Sequence, residues 1–190
     1  MPRPQRDGLR RDILAVAQRL FSTVGFKATS LQMVADEVPC SKAALLYHFK
    51  TKTAILDALI SGLNDDLEKI LSELMTPSLT DKMPRALELS VALIVKHRAA
   101  LAMLRGLEDL ASVSPAVTLG QERADRAAVI LFGPDPTPGD RAAAHAFRHG
   151  VLGACLEMQD VGDDELAVAL LQIGARILQV DPAAVSRLTL

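Results

Sequence analysis

Residues 41–52 read SKAALLYHFKTK. Tyr47, His48 and Phe49 stand side by side with Lys42, Lys50 and Lys52 around them, in a chain that has one Tyr, five Phe and no Trp. A hydroxyl residue opens the stretch, and Leu45 and Phe49 lie one helical turn apart, where they share a face. Ser41 therefore reads as an N-cap, and residues 42–48 as a short helix whose inward positions are Leu45 and Phe49. Lys42, Ala43, Ala44, Leu46, Tyr47 and His48 are left around its outer face.

Upstream, Ile13, Leu14, Ala17, Leu20, Phe21 and Val24 follow helical spacing, which predicts an amphipathic helix over 8–24. Gly25 is the residue best able to end it in a left-handed conformation. The segment ATSLQMVADEV then offers Ser30 as N-cap and Leu31, Val34, Ala35 and Val38 as a buried stripe of a helix about eight residues long. Pro39 and Cys40 interrupt. Two short helices joined by three or four residues and braced by a longer one are the helix-turn-helix plan, whose second short helix lies in the DNA major groove. On that plan Ala43, Ala44 and Leu46 are apolar enough to meet a thymine methyl. Lys42, Tyr47 and His48 can donate to phosphates or to guanine acceptors. Thr51 can cap the next helix and bring its positive N-terminus, with Lys52, to a phosphate. Periodicity alone leaves open a solvated helical hairpin with a chance aromatic pair.

Charge divides the chain in the same place. Residues 1–52 carry a net +5 and the remainder −7, within a total of −2. A basic head on an acidic body suggests that the head meets a polyanion. Ala and Leu dominate the composition, which favours helix throughout. No uncharged apolar run reaches the roughly 18 residues that span a bilayer. The start MPRPQRDGLRRD has no apolar core of a signal peptide. Cys40 and Cys155 are far apart and match no zinc or disulfide spacing. The expectation is a cytoplasmic protein without cofactor and without contact to a membrane.

With these elements in place, SLQMVADEVPCSKAALLYHFKTKTAIL at 30–56 resembles the DNA-binding segment of TetR-family transcriptional regulators. That family carries a Thr/Ser-started second helix with an Ile/Val-Ala pair, a Gly-containing turn, and a run close to Ser-x-x-x-Leu-Tyr-x-His-Phe-x-x-Lys. Ser30, Val34–Ala35, Ser41, Leu45, His48, Phe49 and Lys52 fall on the pattern in register. The preceding helix and Gly25–Phe26 also fit, so the resemblance covers roughly residues 9–60. Two positions depart from it. Leu46 stands where the family has Tyr, with Tyr47 one place later and about 100° round the helix. Pro39 stands where the turn has Gly, and it biases Val38 away from helix.

The resemblance implies an all-α protein: a three-helix helix-turn-helix head (residues 1–52) and a larger helical effector-binding and dimerisation domain (53–190). Periodicity places further helices at about 53–75, 84–97, 99–111, 115–132, 139–159 and 163–179, about nine in all. The family binds a small-molecule effector between its central helices, and Met75, Met103, Leu104, Leu107, Leu119, Phe132 and Phe147 are the candidate wall residues. Plain core packing is the other reading of each. His97, Arg98, Arg105, Glu108, Asp109, His145, His149 and Glu157 are polar groups that could orient such a ligand. The last two helices are expected to pair with those of a second copy, through Ala142, Ala146, Gly150, Gly153 and Ala154 on one and Leu166, Leu170, Ile173, Gly174 and Ile177 on the other. Packing inside one subunit is the alternative. His145 and His149 are four apart, but no third ligand accompanies them, so no metal is expected.

The sequence holds no phosphate loop, nucleophile elbow or catalytic triad, so the expectation is not an enzyme. It is a regulator, a repressor by preference, that binds a palindromic operator in double-stranded DNA as a homodimer and is released by an effector. A DNA-binding architectural or sequestering protein without an effector is the alternative.

Overall fold

The computed structural model describes residues 4–76, 82–104 and 114–181. Among them stand nine helices and no strand: α1 (Pro4–Thr23), α2 (Leu31–Glu37), α3 (Lys42–His48), α4 (Lys52–Leu74), α5 (Lys82–Lys96), α6 (Arg98–Met103), α7 (Pro115–Phe132), α8 (Pro138–Glu157) and α9 (Asp163–Ile177). Period and capping residues thus predict the helices and most of their ends. No helix among the described residues is long and apolar enough to cross a membrane.

The chain forms two compact units, one of Met1–Gly62 with Ala99–Thr118 and the other of Leu63–Arg98 with Leu119–Leu190. In the structure the boundary falls within α4, and α6 with the first turn of α7 groups with the N-terminal helices.

The first unit is built on one apolar cluster. Ile13, Ala17, Leu20 and Phe21 of α1, Val34 and Ala35 of α2, Leu45 of α3 and Ile55, Leu56 and Ile60 of α4 are all buried there, together with Phe26, Val38 and Phe49 from the connections. Val24, assigned to the buried stripe by period, is instead exposed, because α1 stops at Thr23. Gly25 makes that stop possible. Its φ of +93° lets its N–H reach back to the Leu20 carbonyl at 3.3 Å. Ala100, Met103 and Val117 close the same cluster. At the start of α7 the buried Ser114 hydroxyl donates to Asp57 (2.6 Å) and accepts from the Val117 N–H (3.2 Å).

Pro39 acts on the turn between α2 and α3 as its geometry requires. Helix α2 ends at Glu37, and Val38 is extended with φ −96° and ψ 136°. The Cys40 N–H then donates to the Val38 carbonyl across Pro39 at 2.6 Å, a three-residue turn that suits a proline φ near −65°. No left-handed residue is used there.

In the second unit α9 packs against α5 and α8 around Leu87, Val91, Phe147, Val151, Cys155, Leu166 and Leu170. The apolar strip read on α9 as a dimer surface is therefore largely spent within the protomer. Leu166, Leu170 and Gly174 are buried, and of that strip Ile173 is exposed and Ile177 half-buried. A period of 3.6 locates an apolar face but does not say which neighbour covers it. On α8, by contrast, Ala142, Ala146 and Gly150 are exposed, and Val168 and Ala169 of α9 join Ile173 outside.

Gly174 sits where α9 comes closest to its neighbours. A methyl group there would lie 2.5 Å from Leu87 Cδ1 and 2.8 Å from Phe147 Cε2. Alanine would gain about 1 kcal/mol of helix propensity, against about 1–3 kcal/mol for overpacking a filled core. Overpacking wins, so Gly174→Ala is expected to lower Tm by a few degrees. An unchanged or raised Tm in a thermal melt would show that Leu87 and Phe147 give way freely.

Asp66 of α4 gathers Lys69 (2.7 Å), Lys96 (2.7 Å) and His97 (2.9 Å), the last two from the end of α5 and just beyond it. Hydrogen bonds from Lys69, Lys96 and His97 hold its carboxyl well below the ordinary 3.8. A folded-state pKa below the unfolded value means stability that is present above pH 3.8 and lost as pH falls towards the folded value. Thermal melts of the wild type should therefore decline below that pH, and Asp66→Asn should flatten the decline. Parallel curves for the two proteins would remove Asp66 from the acid sensitivity.

Candidate nucleic-acid interface

Helix α3 is held by two capping arrangements and two buried side chains. Ser41 Oγ accepts the Ala44 N–H at 3.1 Å, and the Phe49 N–H closes on the Leu45 carbonyl at 2.9 Å. Leu45 is fully buried and Phe49 nearly so. Burying each is worth about 1.5–3 kcal/mol, which fixes the rotation of a helix too short to hold itself. That rotation turns Lys42, Ala43, Leu46 and Tyr47 to solvent and leaves Ala44 and His48 half-buried. Tyr47 is 72% exposed and Leu46 38%. The Tyr47 and His48 rings meet edge to face, with centroids 5.5 Å apart.

Helix α2 is capped in the same way, with Ser30 Oγ accepting the Met33 N–H at 3.1 Å. A hydroxyl that accepts from the backbone still has its own proton to donate, so Ser30 and Ser41, both exposed, remain able to bond a phosphate oxygen. Arg19 of α1 pairs with Glu37 of α2. Both are exposed, so the pair contributes little to stability, but it occupies one basic side chain of the head. Arg10 lies over the Phe49 ring, 5.3 Å from its centroid.

Lys52 stands differently from its expected place. Thr51 caps α4 as the sequence predicts, its Oγ1 accepting the Ala54 N–H at 3.0 Å. The Lys52 side chain, however, turns back onto the connection between α1 and α2. Its ammonium donates to the carbonyls of Phe26 (2.5 Å), Thr29 (2.6 Å) and Lys27 (3.2 Å), and lies 4.4 Å from the Phe26 ring centroid. Burial pushes its pKa down. Among the basic residues of the head, Lys42 and Lys50 are exposed beside the outer face of α3. Lys50 counts towards the charge of the head, and its place next to the inward Phe49 is the signal in the sequence for an outward position.

The apolar residues named for an effector pocket are not gathered into one cavity among the described residues. Met103 is buried in the core of the first unit, with Leu104 half-buried beside it. Phe147 belongs to the core of the second unit. Met75 and Leu119 are exposed. Phe132 lines a hollow of about 90 Å³ with Ala128, Pro136, Asp140, Arg141, Ala144 and His145. Leu107 lies outside the described residues, as do Arg105, Glu108 and Asp109. Of the remaining polar candidates, His97 is engaged by Asp66, and Arg98 pairs with Asp163 at 3.0 Å and donates to the Val161 carbonyl at 3.3 Å. His145 and His149 stack in parallel with centroids 5.9 Å apart on the exposed side of α8, and Glu157 is exposed near its end.

Capping gives this interface a direct test. Ser41→Ala removes the acceptor for the Ala44 N–H and is expected to cost about 1 kcal/mol, whereas Ser41→Gly should cost only a few tenths. Chemical denaturation of the two variants measures the difference. Equal stability of Ser41→Ala and wild type would mean that the cap does not hold α3.

Comparison with known proteins carries the reading further. Residues 13–59 match the family described as bacterial regulatory proteins, tetR family. Over 62 residues the chain is 32% identical to the HTH-type transcriptional repressor KstR2 of Rhodococcus jostii (strain RHA1), a match covering 33% of this chain and 30% of that protein. Among solved structures, AmtR of Mycobacterium smegmatis superposes with a TM-score of 0.70 and 25% identity, over 95% of this chain and 94% of that one. The ketosteroid transcriptional regulator KstR2 of Mycobacterium tuberculosis also gives a TM-score of 0.70, at 20% identity, over 90% and 93% of the two chains. By the segment 13–59 the chain is similar to the tetR family of bacterial regulatory proteins, and by the helical fold around it to AmtR of Mycobacterium smegmatis.

Proposed function

We propose that this protein is a transcriptional repressor that binds a palindromic operator in double-stranded DNA as a homodimer and is released by a small-molecule effector. One observation carries the reading: the burial of Leu45 and Phe49 leaves Lys42, Ala43, Leu46 and Tyr47 exposed along one side of α3. That surface has small and apolar groups for base edges at its centre and hydrogen-bond donors at its margins. Ser30, Ser41, Ala44 and His48 complete the proposed contact set.

A seven-residue helix reads few base pairs. Two copies related by a two-fold axis read a palindrome with half-sites about 34–36 Å apart, or a multiple of that. The exposed Ala142, Ala146 and Gly150 of α8, with Val168, Ala169 and Ile173 of α9, are the surface we assign to the pairing. The effector acts by binding one disposition of the two heads better than the other, and it shifts the equilibrium only by that difference in affinity.

Selection from random duplex DNA tests the reading. The expected product is an inverted repeat; absence of enrichment, or a lone asymmetric site, would count against a dimeric reader. Lys42→Met is expected to weaken binding to every duplex and to lower the salt slope by about one unit, whereas Tyr47→Ala changes which bases are preferred. Gly150→Ala tests the pairing surface. A methyl at Gly150 meets nothing within the protomer, so in a lone subunit the change should stabilise the helix. Weakened self-association in sedimentation measurements is expected if α8 lies at the two-fold interface. Thermal stabilisation by a ligand library, with loss of operator binding, separates the repressor from an architectural DNA-binding protein that has no effector.

A further inference from the structure

The position of Lys52 is set by a count of donors and acceptors. A lysine ammonium has three N–H groups and no acceptor. Here the carbonyls of Phe26, Lys27 and Thr29 lie at 2.5, 3.2 and 2.6 Å, so all three N–H groups have partners inside the protein. The Phe26 ring lies against the same ammonium, and that ring is itself buried edge to face on Phe21, with centroids 5.0 Å apart. Lys52 is also the first residue of α4, where the helix dipole repels a cation. Converging carbonyls supply the negative potential that this position lacks.

We infer that Lys52 is a positioning residue: its ammonium clamps the 26–29 connection to the start of α4 and so sets where α2 begins, and it makes no phosphate contact. The connection leads straight into Ser30, the cap of α2, and Thr29 already bonds back to Gly25 through its N–H (3.1 Å) and its hydroxyl (2.8 Å). A lysine across the open side of this turn fastens α1, α2 and α4 to one another. The positive charge offered to DNA then comes from Lys42 and Lys50, while the Lys52 ammonium stays on the 26–29 connection. This inference rests on the repressor reading for its consequence on DNA, but not for the clamp itself.

The test uses the full-length protein with Lys52→Met, Lys52→Arg and Lys42→Met, and the duplex enriched by selection. Arginine keeps the charge that a phosphate would need, yet its planar guanidinium cannot converge on three carbonyls as an ammonium does. The expected result has three parts. Lys52→Met binds at least several-fold more weakly at every salt concentration with an unchanged salt slope; Lys52→Arg behaves like it; and hydrogen exchange at the Thr29, Met33 and Val34 amides accelerates at least tenfold in both. A slope lowered by about one unit in Lys52→Met, as expected for Lys42→Met, overturns the inference, and so does unchanged exchange. If Lys52→Met does not fold, Lys52→Arg decides alone, and wild-type affinity together with wild-type exchange overturns it. If no duplex binds even the wild type, the repressor reading has failed, and the exchange measurement still decides the clamp.

Discussion

The burial of Leu45 and Phe49 is the constraint on which the outer surface of the head depends. A helix of seven residues has no stability of its own, and its rotation is not set by its own hydrogen bonds. It is set by two apolar side chains in a core made mostly by α1, α2 and α4. Once they are placed, the remaining positions of α3 have no choice of direction. Lys42 and Tyr47 face outward because Leu45 and Phe49 face in.

The same logic distributes the polar groups. Hydroxyls at the two helix starts satisfy backbone N–H groups that would otherwise lack partners, and they keep a proton available on the surface. Charged side chains divide into those that tie helices together and those that do not. Arg19 and Lys52 belong to the first kind, since each is occupied by groups of the head itself. Net charge therefore overstates what the head can offer to a polyanion, and the geometry of each ammonium or guanidinium decides its part.

In the second unit close packing plays the corresponding role. Gly174 lets α9 approach Leu87 and Phe147 to a distance at which no methyl would fit. Most of the apolar strip of α9 is covered in that approach, and the small residues of α8 and the far side of α9, Ile173 included, stay outside. Two larger apolar side chains, Val168 and Ile173, stay exposed beside those small residues.

Helix positions, caps and the direction of α3 were legible in the sequence, because they follow from local rules: a period of 3.6, a serine before a helix, a proline that forbids the residue before it from being helical. Ser30, Ser41 and Thr51 stand as caps, and Val38 turns extended before Pro39, as those rules require. What the sequence could not determine is which partner each group meets. Met103 packs with the N-terminal helices, Leu166 and Leu170 pack within their own protomer, and Lys52 bonds to a connection more than twenty residues away. Those choices depend on which faces the folded chain brings together, and helical periodicity carries no information about the neighbour.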